Sequence, residues 1–374
     1  MKHRIRMFPA AYAAAAMILA GSASARGQIT VAEGYTPPDD TPQVNVGGTI
    51  FANYTYQLEP TVTNSQGDRV HPSSFDVTRA YINVTGQINH LINFRITPDV
   101  VRVGQVDGKD VPGITGTLTY RLKYAYGQLN FSDFTTKGSW LRLGLQQTPF
   151  IDFEEGIYRY RFQGTVQEDR EGFLTSSDLG ASVHWNFPGN FGDVHGGVYN
   201  GDGYTRPNDA DGQMSYQVRL TFRPLPMIPV IKGLRITGFY DSDHYLEDLK
   251  KERYIGFLSF ENPWVNFGAQ YDHNKDKRSA SVSQVDSEGW SVWVTPRIPD
   301  CGFEALIRWD RITPDTSSSA RKQRLIAGPA YWFPVTKSGV AAAVLLNFEQ
   351  IRYMGAPNQR PTEERYAVST LFNF

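Results

Sequence analysis

The chain has 374 residues, with 37 Lys and Arg against 38 Asp and Glu, 40% apolar and 13% aromatic side chains, and one cysteine. A balance this close to neutral argues against a nucleic-acid binder, and the lone Cys301, in the turn PDCGF, cannot form an internal disulfide. Past residue 25 there is no run of 18 apolar residues, the nearest being the seven from Val340 to Leu346; this excludes transmembrane helices and leaves a β-rich secreted protein or a membrane protein apolar only on alternate residues.

Lys2, Arg4 and Arg6 open the chain, Phe8 to Ala20 is apolar and alanine-rich, and Ala23-Ser24-Ala25 is an A-x-A cleavage site. That order is the order of a secretory signal peptide, expected over residues 1–25. Cleavage after Ala25 is expected to leave 349 residues, 34 basic against 38 acidic, a net charge of −4. Residues 26–46 hold Pro37, Pro38 and Pro42 without periodicity and read as a mobile N-terminal segment.

From 47 to 374 a two-residue rhythm sets in. Sixteen segments have strand character, near 48–58, 75–87, 90–100, 121–131, 139–147, 178–187, 191–200, 213–223, 232–242, 252–261, 263–273, 287–296, 302–312, 322–333, 338–350 and 363–374. That leaves about 22 residues for each strand with its connection, where a transmembrane strand needs ~9–11. Connections after even segments are short (QIN, FPGN, ENP, PRIPD, FPVTK, and the longer RPLPMIPVI) and rich in proline, which cannot donate to a ladder. Those after odd segments are long and polar, as in TVTNSQGDRVHPSS, GDGYTRPNDADG and NKDKRSASVSQVDS. Short turns on one rim and long loops on the other is the asymmetry of an outer-membrane barrel, and an even count puts both termini on the short-turn side.

The faces agree. In 179–187, Leu179, Ala181, Val183, Trp185 and Phe187 oppose Gly180, Ser182, His184 and Asn186; in 215–223, Tyr216, Val218, Leu220 and Phe222 oppose Ser215, Gln217, Arg219, Thr221 and Arg223. Such a period marks two faces meeting different solvents. Arg79, Arg95, Arg142, Arg219, Arg235 and Arg308 all lie mid-segment opposite the apolar face. An arginine at the lipid midplane costs roughly 2–4 kcal/mol, so these six are expected on the pore wall. The fold expected is all-β: a transmembrane antiparallel barrel of 16 strands, closed because hydrocarbon tolerates no unpaired strand edge. The last strand, RYAVSTLFNF, then ends at the rim with Phe372 and Phe374 in an aromatic girdle.

The longest connection, residues 148–177, follows segment five and carries six acids against three arginines. Thirty residues exceed a simple turn, and a sixteen-stranded barrel encloses a water-filled channel. The loop is expected to fold inward as a constriction, with Asp152, Glu154, Glu155, Arg159, Arg161 and Arg170 facing the wall arginines in a field that sorts solutes by charge. A solvated surface loop is the plain alternative.

The stretches AYGQLNF, LRLGLQQTPF, DLGASVHW and GGVYNGDGY between Tyr126 and Gly203, with FDVTRAYINVTGQINHLINFRITPD at 75–99, resemble the phosphate-selective porin O and P family of bacterial outer-membrane porins. The resemblance implies a homotrimer, a third long loop folded into the pore, arginines and lysines that draw anions, and Phe374 as the signal read by the barrel assembly machinery. Its partners would be outer-membrane lipid, lipopolysaccharide and small polar or ionic solutes, with no nucleic acid. One departure is the scarcity of lysines mid-strand, so passive diffusion of small hydrophilic solutes is expected, with any anion or phosphate preference resting on the resemblance.

Other motifs are incomplete. Gly180-Ala-Ser182-Val-His184 lacks the closing glycine of a nucleophile elbow, and Gly104 to Lys109 falls one residue short of a phosphate loop. His184, His195 and Asp193 could meet across the PGN turn, but two histidines are not a complete ligand set. Asp209-Ala-Asp211-Gly212 echoes a calcium loop, leaving a loop-bound divalent cation as the sole cofactor reading. A non-enzymatic porin leads; a barrel-based hydrolase using Ser182 and His184, or a plugged structural or adhesive barrel, are the alternatives. For the fold, heated and unheated protein are expected to migrate differently on a denaturing gel, with a sheet-type circular dichroism spectrum in detergent; identical migration with a helical spectrum would overturn it.

Overall fold

The alternation along the chain becomes a continuous ladder in the computed structural model, which describes residues 39–104, 109–205, 212–333, 341–355 and 360–374. The strands are β1 (Gln43–Glu59), β2 (Ser73–Gln87), β3 (Ile92–Arg102), β4 (Leu118–Asn130), β5 (Trp140–Gln147), β6 (Ser177–Asn186), β7 (Gly192–Tyr199), β8 (Ser215–Phe222), β9 (Arg235–Leu246), β10 (Leu249–Glu261), β11 (Val265–Asp276), β12 (Val285–Pro296), β13 (Phe303–Thr313), β14 (Arg321–Trp332), β15 (Ala341–Met354) and β16 (Glu363–Asn373). Each pairs antiparallel with its sequence neighbours, and β16 returns to β1 from Thr49↔Asn373 to Glu59↔Glu364, closing a sixteen-stranded barrel. No described helix is long and apolar enough to cross a membrane.

Burial is inverted relative to a water-soluble protein. Along β8, Ser215, Gln217, Arg219 and Thr221 are buried, while Tyr216, Val218, Leu220 and Phe222 are exposed at 42 to 57%. The polar set packs inside; the apolar set forms an outer surface of the kind that lipid covers favourably. The six arginines expected on the inner wall are none of them among the exposed apolar face; Arg219 is 4% and Arg308 1% exposed.

Closure is sealed at the short-turn rim. The Phe374 amide donates to the Gly48 carbonyl at 3.0 Å, and the Gly48 amide donates to the Phe374 carbonyl at 2.7 Å. A Cβ on Gly48 would stand 2.6 Å from the Phe374 ring, so only glycine admits the ring there.

Boundaries differ from the sequence reading in two places. Gln43 to Val46, expected in the N-terminal segment, already pair with Val84 to Gln87 of β2, because a barrel edge leaves no ladder position unused. The break expected between 242 and 252 is a tight turn, with β9 and β10 running to Leu246 and Leu249 and Asp248 at φ 67°; polar residues continue a ladder beyond the hydrocarbon as readily as they leave it. The expected signal peptide, the rest of the N-terminal segment to residue 38, and Asp209 and Asp211 lie outside the described residues.

Val218→Arg, on the outward face of β8, is expected to lower barrel stability by about 2–4 kcal/mol in urea unfolding from lipid vesicles. An unchanged midpoint would mean that this face does not meet hydrocarbon.

Candidate functional site: the loop inside the barrel

The connection from β5 to β6, residues 148–177 (L3), folds into the lumen. Past Pro149, the helix α1 (Ile151–Tyr158) carries Asp152 and Glu154 in its first turn, where acids complement the helix dipole, and ends on Arg159 in a left-handed conformation (φ 64°). A single turn, α2 (Gln167–Arg170), follows. L3 brings its own apolar core: Phe150, Ile151, Ile157, Tyr158, Tyr160, Phe162, Val166 and Leu174 are at most 7% exposed. Each such burial contributes roughly 1.5–3 kcal/mol.

That core seats on β9 to β15 and reaches round to β1. The Phe150 ring meets Phe239 at 5.4 Å, Tyr158 meets Trp293 at 5.3 Å, and Phe162 meets Trp332 at 5.8 Å and Phe51 at 6.5 Å. Polar contacts fix the register. Asn266 donates to the Ile157 carbonyl at 2.9 Å, Arg308 to the Thr165 carbonyl at 3.0 Å, Arg253 to the Phe173 carbonyl at 2.9 Å, and Gln167 to Asp272 at 2.6 Å. The lumen that remains therefore lies against β2 to β5.

The six loop residues expected at the constriction divide. Asp152 is exposed to the lumen, and Glu155 pairs with Arg161 at 2.7 Å on the free edge of L3. Glu154, fully buried, accepts from the Trp293 indole at 3.3 Å, and Arg159 pairs with Glu304 at 3.2 Å beneath Trp332. These two anchor the loop instead of facing the channel. Arg170 lies 3.6 Å from Glu349, at the edge of an outer cavity.

The wall arginines divide too. Arg219 is locked to Asp193 at 2.6 Å under Phe153, and Arg308 to Asp310 at 2.8 Å under Tyr158; both are sealed behind L3. Arg235 pairs with Glu261 at the short-turn rim. Arg79 faces the lumen and shares the buried Asp99 with Arg121, at 3.3 and 3.4 Å. Arg95 and Arg142 have only neutral partners. Arg95 donates to Asn83 at 2.9 Å and Thr97 at 3.0 Å and lies over Tyr124; Arg142 donates to Gln128 at 2.7 Å and Gln147 at 3.1 Å and lies 3.8 Å over Trp140.

Sequence reasoning missed Lys123. The β3–β4 register shifts between Thr97 and Pro98, with Thr97 opposite Tyr124 and Pro98 opposite Leu122. Lys123 is the extra residue of that bulge. It is 3% exposed, sits 3.5 Å from the Tyr81 hydroxyl near the rings of Tyr81, Tyr124 and Tyr204, and makes no ion pair among the described residues. Proline mid-strand was the available sign, since it marks bulges. Across the gap stands Glu155, which burial pushes up and which Arg161 and Lys123 hold down. A cavity of about 330 Å³, lined by Asn45, Thr85, Arg95, Tyr126 and Gln128, opens toward the short-turn rim, and one of about 460 Å³ toward the long loops.

His184 and His195 do meet, ring centroids 5.9 Å apart, but serve different partners. His184 Nε2 lies 3.3 Å from Asp193, and His195 Nε2 3.2 Å from Ser182 Oγ, which donates to Gln146 at 2.6 Å. Ser182 thus has no acid-oriented base and is 2% exposed. Among the described residues no group of three metal-ligating side chains converges.

No protein-family model and no curated relative matches the chain. Among solved structures, the barrel is similar to the outer-membrane expressed OmpT of Vibrio cholerae (10% identity, TM-score 0.60, covering 90% of this chain and 98% of that one). It is similar also to OmpF of Salmonella typhi, solved with daunomycin (11%, 0.59, 90% and 98%), and to the outer membrane channel DcaP of Acinetobacter baumannii (12%, 0.57, 89% and 97%). The likeness is one of fold, that of the sixteen-stranded outer-membrane barrels.

Burial pushes the Glu154 carboxyl up to about 8, against Arg308 and the Trp293 N–H, with Asp310 and Glu155 adding to the rise. Glu168, fully buried nearby, is pushed up well above the carboxylate range by burial, Glu154 and Asp272. The seated form is the neutral form. Below the ordinary carboxylate value Glu154 is neutral in both states; as pH rises from there toward 8, the freed carboxyl ionises and the seated one does not, so seating weakens. Thermal stability is expected to fall from pH 6 to pH 9, and Glu154→Gln to flatten that fall. A Glu154→Gln profile that follows the wild type would remove this carboxyl from the explanation.

Proposed function

We propose that the protein is a water-filled outer-membrane channel for passive diffusion of small hydrophilic solutes, preferring anions. One observation carries the preference. Lys123, Arg95 and Arg142, along the open wall of β3 to β5, are held by tyrosine, tryptophan, asparagine, threonine and glutamine, with no carboxylate in ion-pair reach among the described residues. Basic groups with no carboxylate in contact present their field to whatever passes. Beside low-dielectric walls that field attracts anions and repels cations more strongly than it would in water.

A solute entering past the long loops meets the arginines of the outer cavity, then the gap between Lys123 and the Glu155–Arg161 pair, then Arg95 and Arg142. Contacts of this kind exchange one hydration shell for another without trapping the ion, as conduction requires. Phosphate is the finer substrate suggested by the family resemblance. The homotrimer stays part of this reading: two apolar grooves of about 490 and 410 Å³ flank β1 and β16 on the outer face, lined by Tyr54, Phe75, Val368 and Tyr366, where copies would meet. The alternative of a barrel-based hydrolase using Ser182 and His184 has less support, since Ser182 Oγ meets His195 and Gln146.

In a planar bilayer under a KCl gradient, steady channels with an anion-selective reversal potential are expected. Lys123→Glu is expected to shift that potential toward cations by removing the central positive charge and adding a negative one. A cation-selective wild type would overturn the preference, and a folded barrel that inserts without current would favour the plugged reading.

A further inference from the structure

The inner wall at the short-turn rim carries a row of carboxamides. Gln43 of β1 lies opposite Gln87 of β2, Gln87 opposite Asn93 of β3, and Asn93 opposite Gln128 of β4. Two residues further into the barrel a second row follows the same register, with Asn45, Thr85, Arg95 and Tyr126. Both rows line the cavity of about 330 Å³, a size within the range of small-molecule pockets.

No carboxylate lies on that lining, and Arg95 is its one charged residue. Arg95 Nε and Nη2 are engaged deeper in the barrel, donating to Thr97 and Asn83. The cavity therefore offers a full row of neutral amides and little else that would hold an ion.

The amides are partly fixed and partly open. Gln87 donates to the Thr41 carbonyl at 3.1 Å; Gln128 donates to Asn130 at 2.7 Å and accepts from Arg142 at 2.7 Å. A carboxamide has two N–H groups and two oxygen lone pairs, so these contacts orient the two side chains without exhausting them. The side-chain oxygen of Asn93, between them in the row, is buried and has no hydrogen-bond partner among the described residues. Gln43 and Asn45 are exposed at the same mouth.

A wall that both donates and accepts at each position suits a ligand that does the same. A hydroxyl donates and accepts; a carboxylate only accepts, and an ammonium only donates. Neighbouring strands set the row in steps of about 4.8 Å, close to the separation of alternate equatorial hydroxyls on a pyranose ring. Four such steps in line accommodate one or two rings.

We infer that this cavity is a binding site for a small neutral saccharide, held through its hydroxyls by Gln43, Gln87, Asn93 and Gln128 at the short-turn mouth. The site rests on the open-channel reading and is independent of the anion preference. It adds a class of solute that the basic stretch deeper in the barrel does not select.

The test is single-channel recording in KCl with maltose added on the short-turn side. Two controls accompany it: a polyethylene glycol of equal hydrodynamic radius, and fully O-methylated maltose, which keeps the rings and loses every O–H donor. Maltose is expected to interrupt the current in a saturable way, and the controls to lower it only as they lower bulk conductivity. Asn93→Ala and Gln43→Ala are each expected to raise the half-maximal maltose concentration roughly fivefold, about 1 kcal/mol. Gel mobility without heating reports that each variant has folded. Steady channels on which maltose acts no differently from the glycol would overturn the site and leave the channel reading intact. Methylated maltose equal to maltose would overturn recognition through hydroxyls, and folded variants that respond like the wild type would overturn the place assigned to it. An inserted barrel without current would instead remove the channel reading itself, and the site with it.

Discussion

A backbone amide inside hydrocarbon has no water to fall back on, and the rest of the structure follows from that. Each unpaired N–H or C=O at membrane depth costs several kcal/mol, so the ladder must close on itself. Closure fixes the β1–β16 seam and the Gly48–Phe374 contact, and it forces the exchange of solvents seen on β8. Once the outer face belongs to lipid, every charge the chain carries at that depth must point inward. The lumen is therefore crowded with groups that need partners.

L3 answers that crowding on one side only. Against β9 to β15 it supplies carbonyls to Arg253 and Arg308 and an amide to Asp272, and it roofs them with its own aromatic core. Without that roof these groups would face open water and lose little. With it they are dry, and direct pairing matters more, as between Arg219 and Asp193 and between Arg308 and Asp310. Against β2 to β5 L3 lays no such roof: Arg95 and Arg142 touch only neutral partners, and Lys123, tucked among tyrosines, looks across the gap to Glu155.

The faces of the strands were legible in the sequence because a period of two needs only the residue types along one strand. Val218 and Arg219 declare opposite solvents wherever their neighbours lie. Inward folding of residues 148–177 was legible from length and position. What the period could not give was partnership between strands: Arg219 and Arg95 look alike in sequence, yet one meets a carboxylate 26 residues away on the neighbouring strand and the other does not. Glu154 and Asp152 sit two apart in one helix, one fully buried and one exposed, because a helical turn carries them to different faces and the loop, not the strand, decides which is covered. Lys123 escaped because a single bulged residue breaks the parity on which the whole reading depends.

The off-centre seat of L3 separates two kinds of inheritance. Substitutions on the inner faces of β9 to β13 act on how firmly the loop is held, and those on β2 to β5 act on what goes by. Because few side chains serve both, the permeation wall is free to drift from one solute class to another without reopening the question of folding. A barrel of this design can then change what it passes by altering a strip four strands wide while the seat of the loop stays as it is.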